Sequence, residues 1–277
     1  MNVSLLPISF YEAVEKDEMT VMDWVKFASR IKDLDAFDVG IAMLKSRTPK
    51  YLEELRREIE KCGKPLNMVT TYPDYSNPDP VQRKREKLYS QADIAVASEL
   101  GASYVRVLAG QKYPGTKRKE NVKRAVEGLL QANETAKQYG VQLVYENHPG
   151  CMAWEYPDVS TDPEAVEEIL AALKGSGIGF NLDTANAVTC GLDPVELLKK
   201  YYCQVTTFHI TDFTYDKNGN CCAATIGIGK APNREVIAYA EAQGFSGWYC
   251  IEECSGRGLS GMVDAVDFVR EVETAVK

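Results

Sequence analysis

Gly140-Val141-Gln142-Leu143-Val144-Tyr145-Glu146 is the stretch of this sequence that is most informative about the fold. A glycine follows a helical segment, a short apolar run comes next, and the run ends in a carboxylate. Glycine directly after a helix supplies the left-handed residue at which many helices end. The stretch therefore predicts a helix, a buried strand and, at the end of that strand, a residue able to bind metal or transfer a proton.

The same unit recurs along the chain. Helical periodicity over residues 51–62, 81–100 and 121–139 stops each time directly before a glycine, and a β-rich run follows. Several helices also open with an N-cap residue and a proline. The pattern predicts eight strands, each followed by a helix. The strands start near Asn2, Phe37, Leu66, Tyr104, Val141, Ile178, Val205 and Trp248.

Eight alternating βα units predict one (β/α)8 TIM barrel over residues 1–277. An open, doubly wound sheet is the alternative, but it usually has a glycine-rich turn after its first strand, and this chain has none there. No linker rich in Pro, Ser or Gly divides the chain, so we expect a single domain. The longest loop-like stretches, residues 149–160, 211–224 and 255–261, follow late strands and are expected to line the rim of the barrel.

The composition is typical of a cytoplasmic protein that binds neither nucleic acid nor membrane. The formal net charge is −8 and the isoelectric point about 5.1, which disfavours contact with a phosphate backbone. No apolar run approaches the ~20 residues that span a bilayer. The eight cysteines form no C-x-x-C pair, which indicates free thiols in a reducing compartment.

Four of the late strands end in residues that bind metal ions or transfer protons. They are Glu146, Asp183, His209 and Glu252. The C-terminal strand ends of a TIM barrel converge on one pocket, so we expect these side chains to share a site. Three carboxylates and an imidazole suit Mn²⁺, Mg²⁺ or Co²⁺, with Zn²⁺ as a further option. Each of these residues also has an ordinary structural explanation when it is considered alone; Asp183, for example, is a good N-cap for the turn that follows it. The spacing of the sequence does not decide whether Glu252 or Glu253 faces the site.

Several short motifs together resemble the xylose isomerase-like TIM barrel superfamily, in its sugar phosphate isomerase/epimerase branch. The motifs are Tyr145-Glu146-Asn147-His148, Leu182-Asp183-Thr184-x-Asn186, His209-Ile210-x-Asp212, Gly227-x-Gly229, Gly244-Phe245-x-Gly247 and Ile251-Glu252. The resemblance implies that the four strand-end residues bind one divalent ion, commonly Mn²⁺. It also implies that Glu146 and Glu252 are the catalytic pair that moves a proton on and off a sugar carbon, and it selects Glu252 over Glu253.

The resemblance predicts a divalent-metal-dependent sugar isomerase or epimerase that acts by proton abstraction next to a carbonyl, through an enediolate. The alternative is a lyase or dehydratase of a keto-sugar, an inosose or a 3-keto-glycoside that uses the same metal site. A non-catalytic sugar-binding barrel is a third hypothesis, against which the four filled ligand positions weigh. Endonuclease IV, another branch, holds three zinc ions with many histidines, and this chain has two.

Substrate contacts are predicted at the strand ends and on the rim loops. Relatives that epimerise free ketoses carry a histidine three residues after the metal aspartate and an arginine six residues after the metal histidine. Here these positions hold Asn186 and Tyr215, so the identity of the substrate stays open. The predicted contacts to a small carbohydrate are His148, Trp154, Asn186, Asp212 and Tyr215. The resemblance further suggests a homo-oligomer, because relatives are often dimers or tetramers.

Overall fold

The computed structural model describes residues 1–151 and 153–276 and contains a barrel of eight parallel strands. The barrel strands are β1 Asn2–Leu6, β2 Phe37–Gly40, β3 Leu66–Thr70, β4 Tyr104–Val107, β5 Gln142–Glu146, β6 Gly179–Asp183, β7 Val205–Ile210 and β10 Trp248–Glu252. Hydrogen bonds join them in the order β1-β10-β7-β6-β5-β4-β3-β2. This confirms the predicted TIM barrel. Met152, in a predicted rim loop, and Lys277, at the end of the predicted domain, lie outside the described residues.

Helices follow the strands around the outside of the barrel. They are α1 Tyr11–Glu15, α2 Val21–Ala28, α3 Pro49–Cys62, α4 Pro80–Glu99, α5 Arg118–Tyr139, α6 Pro163–Leu173, α7 Thr184–Thr189, α8 Pro194–Tyr201, α9 Asn233–Ala242 and α10 Leu259–Val276. Three of the predicted caps are present, since the Asp79, Asp162 and Asp193 carboxylates each accept a backbone hydrogen bond in the first turn of their helix. The predicted starts of α3 and α9 have no side-chain cap hydrogen bond. Among the described helices, none is both long and apolar enough to cross a bilayer.

The gap between the first and second strands is closed without a ladder of strand hydrogen bonds. The backbone N–H groups of Asp35 and Ala36 both donate to the Val3 carbonyl, at 3.0 and 3.2 Å. Inside the barrel, the Ser4 hydroxyl donates to the Asp38 carboxylate at 2.6 Å. These contacts bring the two end strands together and complete a nearly closed barrel.

The strands separate an apolar outer face from a largely polar interior. In β5, Tyr145 packs outward in the main core, while Val144 and Glu146 face the barrel interior, as the alternation of strand side chains requires. Val144 forms a small buried cluster with Met68 and Cys250. Each of these three residues lies two positions before the end of its strand, so their cluster forms an apolar floor below the polar mouth.

A small hairpin forms in a segment that the sequence pattern indicated only as a loop. Strands β8 Phe213–Tyr215 and β9 Cys221–Ala223 pair antiparallel within residues 211–224. The turn between them is closed by the Asp216 amide and the Asn220 carbonyl, at 2.9 Å, with Gly219 at a φ of +84°. Asn218-Gly219 is a hairpin signal that would have predicted this turn.

Candidate active site

Four buried residues at the carboxyl end of the barrel form one cluster. They are Glu146 at the end of β5, Asp183 at the end of β6, His209 near the end of β7 and Glu252 at the end of β10. One ligand-type atom of each lies within 4.8 Å of those of the other three. The four strands are consecutive in the barrel, and the strand register pairs Asp183 and Cys250 with His209. The predicted residues are therefore brought together by the parallel strand order.

The cluster contains buried polar atoms that the protein itself does not satisfy. Oε2 of Glu146, Oδ2 of Asp183, Oε2 of Glu252 and both ring nitrogens of His209 have no hydrogen-bond partner among the described residues. Nδ1 of His209 nevertheless lies 2.9 Å from Oε2 of Glu252 and 3.3 Å from Oε2 of Glu146. Buried groups without partners are costly, and they are rare outside functional sites. This set of oxygens and nitrogens fits a bound divalent cation.

The two carboxylate oxygens of Asp183 have separate roles. Oδ1 accepts hydrogen bonds from the Asn186 backbone N–H and from the Thr211 hydroxyl, both at 2.7 Å, and so caps α7. Oδ2 is left for the cluster. The Asn147 amide group exchanges two hydrogen bonds of 3.0 Å with the backbone of Asp183, which fixes the end of β6 against β5. Asp183 is therefore both an N-cap and a candidate ligand.

The electrostatics of the cluster favour an added positive charge. Burial would raise the pKa of Glu146, but the charges of His209 and Arg106 outweigh burial and lower this pKa to about 2. Burial raises the pKa of Asp183, and the neighbouring carboxylates of Glu146 and Glu252 raise it further. Burial would lower the pKa of His209, yet the same two glutamates hold that pKa well above its ordinary value. Three carboxylates this close attract a cation or a proton.

Arg106 is a member of the site that the sequence reasoning did not assign. It is fully buried on β4, and its Nε lies 2.9 Å from Oε2 of Glu146. Nη1 donates to the Thr71 carbonyl at 2.9 Å, and the guanidinium lies 4.7 Å from the centre of the Tyr72 ring. A charged residue inside a short apolar strand was the signal that could have identified Arg106.

The choice between the two adjacent glutamates is resolved by their contacts. Glu252 belongs to the buried cluster. Glu253 faces away, and its carboxylate accepts from the Ser255 backbone N–H at 2.9 Å and from the hydroxyls of Ser255 and Ser9. Glu253 therefore ties the loop after β10 to the segment after β1.

The predicted substrate-contact residues lie at different depths around the cluster. Asn186 reaches it, because its side-chain amide donates to Oε1 of Glu146 at 3.2 Å. Trp154 is half-buried in the loop after β5, and Tyr215 is 50% exposed on the hairpin, where it meets the Phe213 ring edge-on. No hydrogen bond of the described residues joins either of these two side chains to the cluster, so their substrate contacts stay predictions.

His148 lies in the loop directly after β5 and is half-buried. Its Nδ1 accepts a hydrogen bond from the Gly150 backbone N–H at 3.0 Å. We expect His148→Ala to retain full metal content, because the four clustered side chains form a complete ligand set without it. Metal content after purification in Mn²⁺ tests this, with His209→Ala as the matched control that loses the ion. A metal-free His148→Ala protein would show that the ligand set is wrong.

The Asp212 carboxylate organises the loop that follows the hairpin. Oδ1 accepts from the backbone N–H groups of Phe213 and Ala231, at 2.9 and 3.0 Å. Oδ2 accepts from those of Gly227 and Gly229, at 2.9 and 3.0 Å. Its observed role is therefore to anchor residues 224–231, and a substrate contact by Asp212 stays a prediction without a supporting contact.

We expect Asp212→Asn to lower the free energy of unfolding by about 2 kcal/mol or more, because two of the four backbone donors then face an amide NH₂ group and the other two keep only a neutral oxygen acceptor. Urea denaturation measures the change. Asp216→Asn is the matched control, since Asp216 also accepts backbone hydrogen bonds, but these bonds are exposed and the residue is only half-buried on the hairpin. Equal, small effects of the two changes would contradict the anchoring role.

The family model for xylose isomerase-like TIM barrels matches residues 22–272, and the chain belongs to this family. Among curated proteins it is 24% identical to an inosose dehydratase of Bacillus thuringiensis strain Al Hakam, over 73% of each chain. It is also 24% identical to a hydroxypyruvate isomerase of Streptomyces coelicolor, itself named as putative, over 75% of this chain and 76% of that one. The match to an inosose dehydratase of Clostridium perfringens, at 28% identity, spans 46% of this chain and 41% of that enzyme.

Solved structures show the same fold. A probable 3-DHS dehydratase of petrobactin synthesis from Bacillus anthracis superposes with a TM-score of 0.77 at 16% identity, covering 98% of this chain and 99% of that one. D-psicose 3-epimerase of Clostridium cellulolyticum H10, solved with D-tagatose, gives 0.73 at 16% identity, covering 98% and 99%. A xylose isomerase-like TIM barrel protein of Mycobacterium smegmatis in complex with magnesium gives 0.74 at 16% identity, covering 99% and 97%.

Proposed function

We propose that this protein is a divalent-metal-dependent enzyme that removes a proton from the carbon next to the carbonyl group of a small carbohydrate. The observation that carries the proposal is the placement of Glu146 and Glu252 on two strands, with an unpartnered Oε2 of each within 3.3 Å of Nδ1 of His209. A ketone held in this cluster would present its α carbon to two carboxylates.

In this proposal four residues hold the ion: Glu146, Asp183, His209 and Glu252. Mn²⁺ is the ion we propose first, and Mg²⁺, Co²⁺ and Zn²⁺ fit the same donor set. When bound, such an ion supplies a Lewis acid that polarises a carbonyl oxygen and stabilises developing negative charge. The unsatisfied atoms of the cluster support this assignment, because each would gain a partner.

The protein groups move the proton. One glutamate takes the α proton from one face of the substrate, and the other can return a proton to the opposite face. Return to the same carbon gives an epimer, and return to the former carbonyl carbon gives an isomer. Asn186 and Arg106 hold the Glu146 carboxylate in place through its two oxygens, at 3.2 and 2.9 Å. Glu146, Asp183 and His209 are fully buried and Glu252 is 8% exposed, which limits the access of bulk water to the reacting atoms.

Dehydration is the second candidate, and the curated inosose dehydratases favour it. The first step is the same removal of the α proton. The β hydroxyl then leaves as water with a proton from an acidic side chain, and a double bond forms between the α and β carbons. Asn186 and Tyr215 occupy positions at which ketose epimerases carry histidine and arginine. This difference also fits a reaction that loses water, and does not epimerise the substrate, after the α proton has been removed.

A substrate panel in deuterium oxide separates these activities. Ketoses, sugar phosphates and inososes are incubated with the Mn²⁺-loaded protein and followed by NMR and mass spectrometry. Deuterium at the α carbon of an unchanged or isomeric product supports the isomerase or epimerase, and a product lacking one water supports the dehydratase. A protein that binds no divalent ion and exchanges no α proton would contradict the proposal and favour a sugar-binding barrel. Self-association and a cytoplasmic location stay predictions.

A further inference from the structure

The mouth of the barrel has a second half that the proposed proton transfer does not use. The metal-type cluster lies on β5, β6, β7 and β10, and the opposite half is formed by β2, β3, β4 and the segment after β1. Four buried polar atoms of three residues there have no hydrogen-bond partner among the described residues: Oη of Tyr11, Oγ1 of Thr70, and Nε and Nη2 of Arg106, of which Nε forms an ion pair with Glu146. Buried polar atoms that the protein leaves unpaired indicate a place for a polar ligand.

Tyr11 reaches this half of the mouth because β2 ends in glycine. A Cβ atom at Gly40 would lie only 1.8 Å from the Tyr11 hydroxyl oxygen and 3.4 Å from Oγ1 of Thr70. Any other residue at position 40 would therefore exclude the tip of the phenol ring. Gly40 places the hydroxyls of Tyr11 and Thr70 side by side at the strand ends.

Contacts hold the guanidinium of Arg106 in place and leave one of its nitrogens, Nη2, without a partner. Nε faces Glu146, Nη1 is bound to the Thr71 carbonyl, and the Tyr72 ring covers one face of the guanidinium. Nη2 is the remaining donor, and a guanidinium nitrogen never accepts a hydrogen bond. The ligand group at this point must therefore offer an acceptor oxygen.

We propose that Arg106, Tyr11 and Thr70 bind a carboxylate of the substrate, so that the substrate is a keto acid of the sugar-acid class. This rests on the proposed function. The three residues offer donors in this half of the mouth, where Tyr11 and Thr70 flank Gly40 and Tyr11 interacts electrostatically with Arg106. A carboxylate bound there would accept charge-assisted hydrogen bonds, which are the stronger ones. A divalent ion and Arg106 together balance the three carboxylates of the cluster. A monoanionic substrate therefore meets no net repulsion.

Binding without turnover tests the proposal. The Mn²⁺-loaded full-length protein is titrated calorimetrically with D-erythronate, a four-carbon sugar acid, and with erythritol, its neutral counterpart. Neither has a ketone or aldehyde group, so the measurement reports affinity alone. We expect erythronate to bind at least about 10-fold more tightly, the effect of about one charge-assisted hydrogen bond.

Variants identify where the carboxylate binds. Tyr11→Phe and Thr70→Val each remove one hydroxyl without touching the clustered ligands, and each is expected to weaken erythronate binding by about 5-fold or more. Arg106→Met is expected to remove the preference over erythritol. Tyr104→Phe and Thr206→Val are matched controls at the amino ends of β4 and β7, away from the mouth, and should bind erythronate like the unaltered protein. Metal content confirms that each variant keeps its site.

Two results would overturn the proposal. One is equal affinity of the unaltered protein for erythronate and erythritol. The other is an undiminished preference in the Tyr11→Phe/Thr70→Val double variant, which would place the carboxylate on the metal ion itself. Neither result would contradict the proposed proton abstraction, because deuterium exchange at the α carbon tests that activity separately. Conversely, tight erythronate binding by a protein that exchanges no α proton would contradict only the proposed function.

Discussion

Glu252→Gln and Glu146→Gln are each expected to lower turnover by ~10² to 10⁴-fold, the effect of removing a general base. Glutamine keeps an oxygen that still ligates a metal ion weakly, so partial metal binding should remain. It does not take up a proton from carbon. The deuterium exchange rate at the substrate α carbon measures the loss directly, because exchange requires proton removal but not product release.

The chain offers a matched control beside one of the catalytic candidates. Glu253→Gln changes the adjacent side chain, which faces Ser9 and Ser255 and not the cluster. We expect this variant to retain turnover within a few-fold of the unaltered protein. Near-normal exchange in both Glu252→Gln and Glu146→Gln would rule out the two-glutamate mechanism.

Removing the Asp183 carboxylate is expected to abolish the stabilisation that a metal ion confers. A ligand at 100 times its dissociation constant stabilises a folded protein by about 2.7 kcal/mol, and both Asp183→Asn and Asp183→Ala should lose that gain. Thermal unfolding with and without Mn²⁺ measures the gain, and metal analysis measures occupancy. His209→Ala should behave in the same way.

The two Asp183 variants are expected to differ in the metal-free state. Asparagine keeps an oxygen for the Asn186 backbone N–H and relieves the repulsion from Glu146 and Glu252, so metal-free Asp183→Asn should be at least as stable as the unaltered protein. Alanine also loses the cap of α7, which costs about 1 kcal/mol. Full metal occupancy in Asp183→Asn or His209→Ala would contradict the ligand assignment.

Local sequence patterns were sufficient for the architecture. Helices that end at glycine, and strands that follow them, were predicted from periodicity and capping, since both depend on residues within one turn or one strand. Gly63 and Gly140 do adopt the left-handed conformation directly after α3 and α5. The strands of the hairpin in residues 211–224 were not visible as alternation, because only three residues pair on each side, and the Asn218-Gly219 turn was the one local signal for it.

The sequence predicted those residues of the site that lie at the ends of strands. Glu146, Asp183, His209 and Glu252 were predicted because the carboxyl ends of parallel strands lie together at one end of the barrel. Arg106 was not assigned, because its contact with Glu146 depends on the register between β4 and β5. Asp212 also follows a strand directly, yet its carboxylate turns to four backbone amides of its own loop.

The sequence by itself determined the repeating βα units, the barrel and the four strand ends that carry the clustered residues, because these follow from short-range periodicity and from the direction of parallel strands. Only the tertiary structure decided which oxygens remain unpaired, that Glu252 and not Glu253 faces the cluster, and that Gly40 admits Tyr11 to the mouth. Those features depend on contacts between residues distant in the chain, whose distances and orientations are fixed only when the barrel closes.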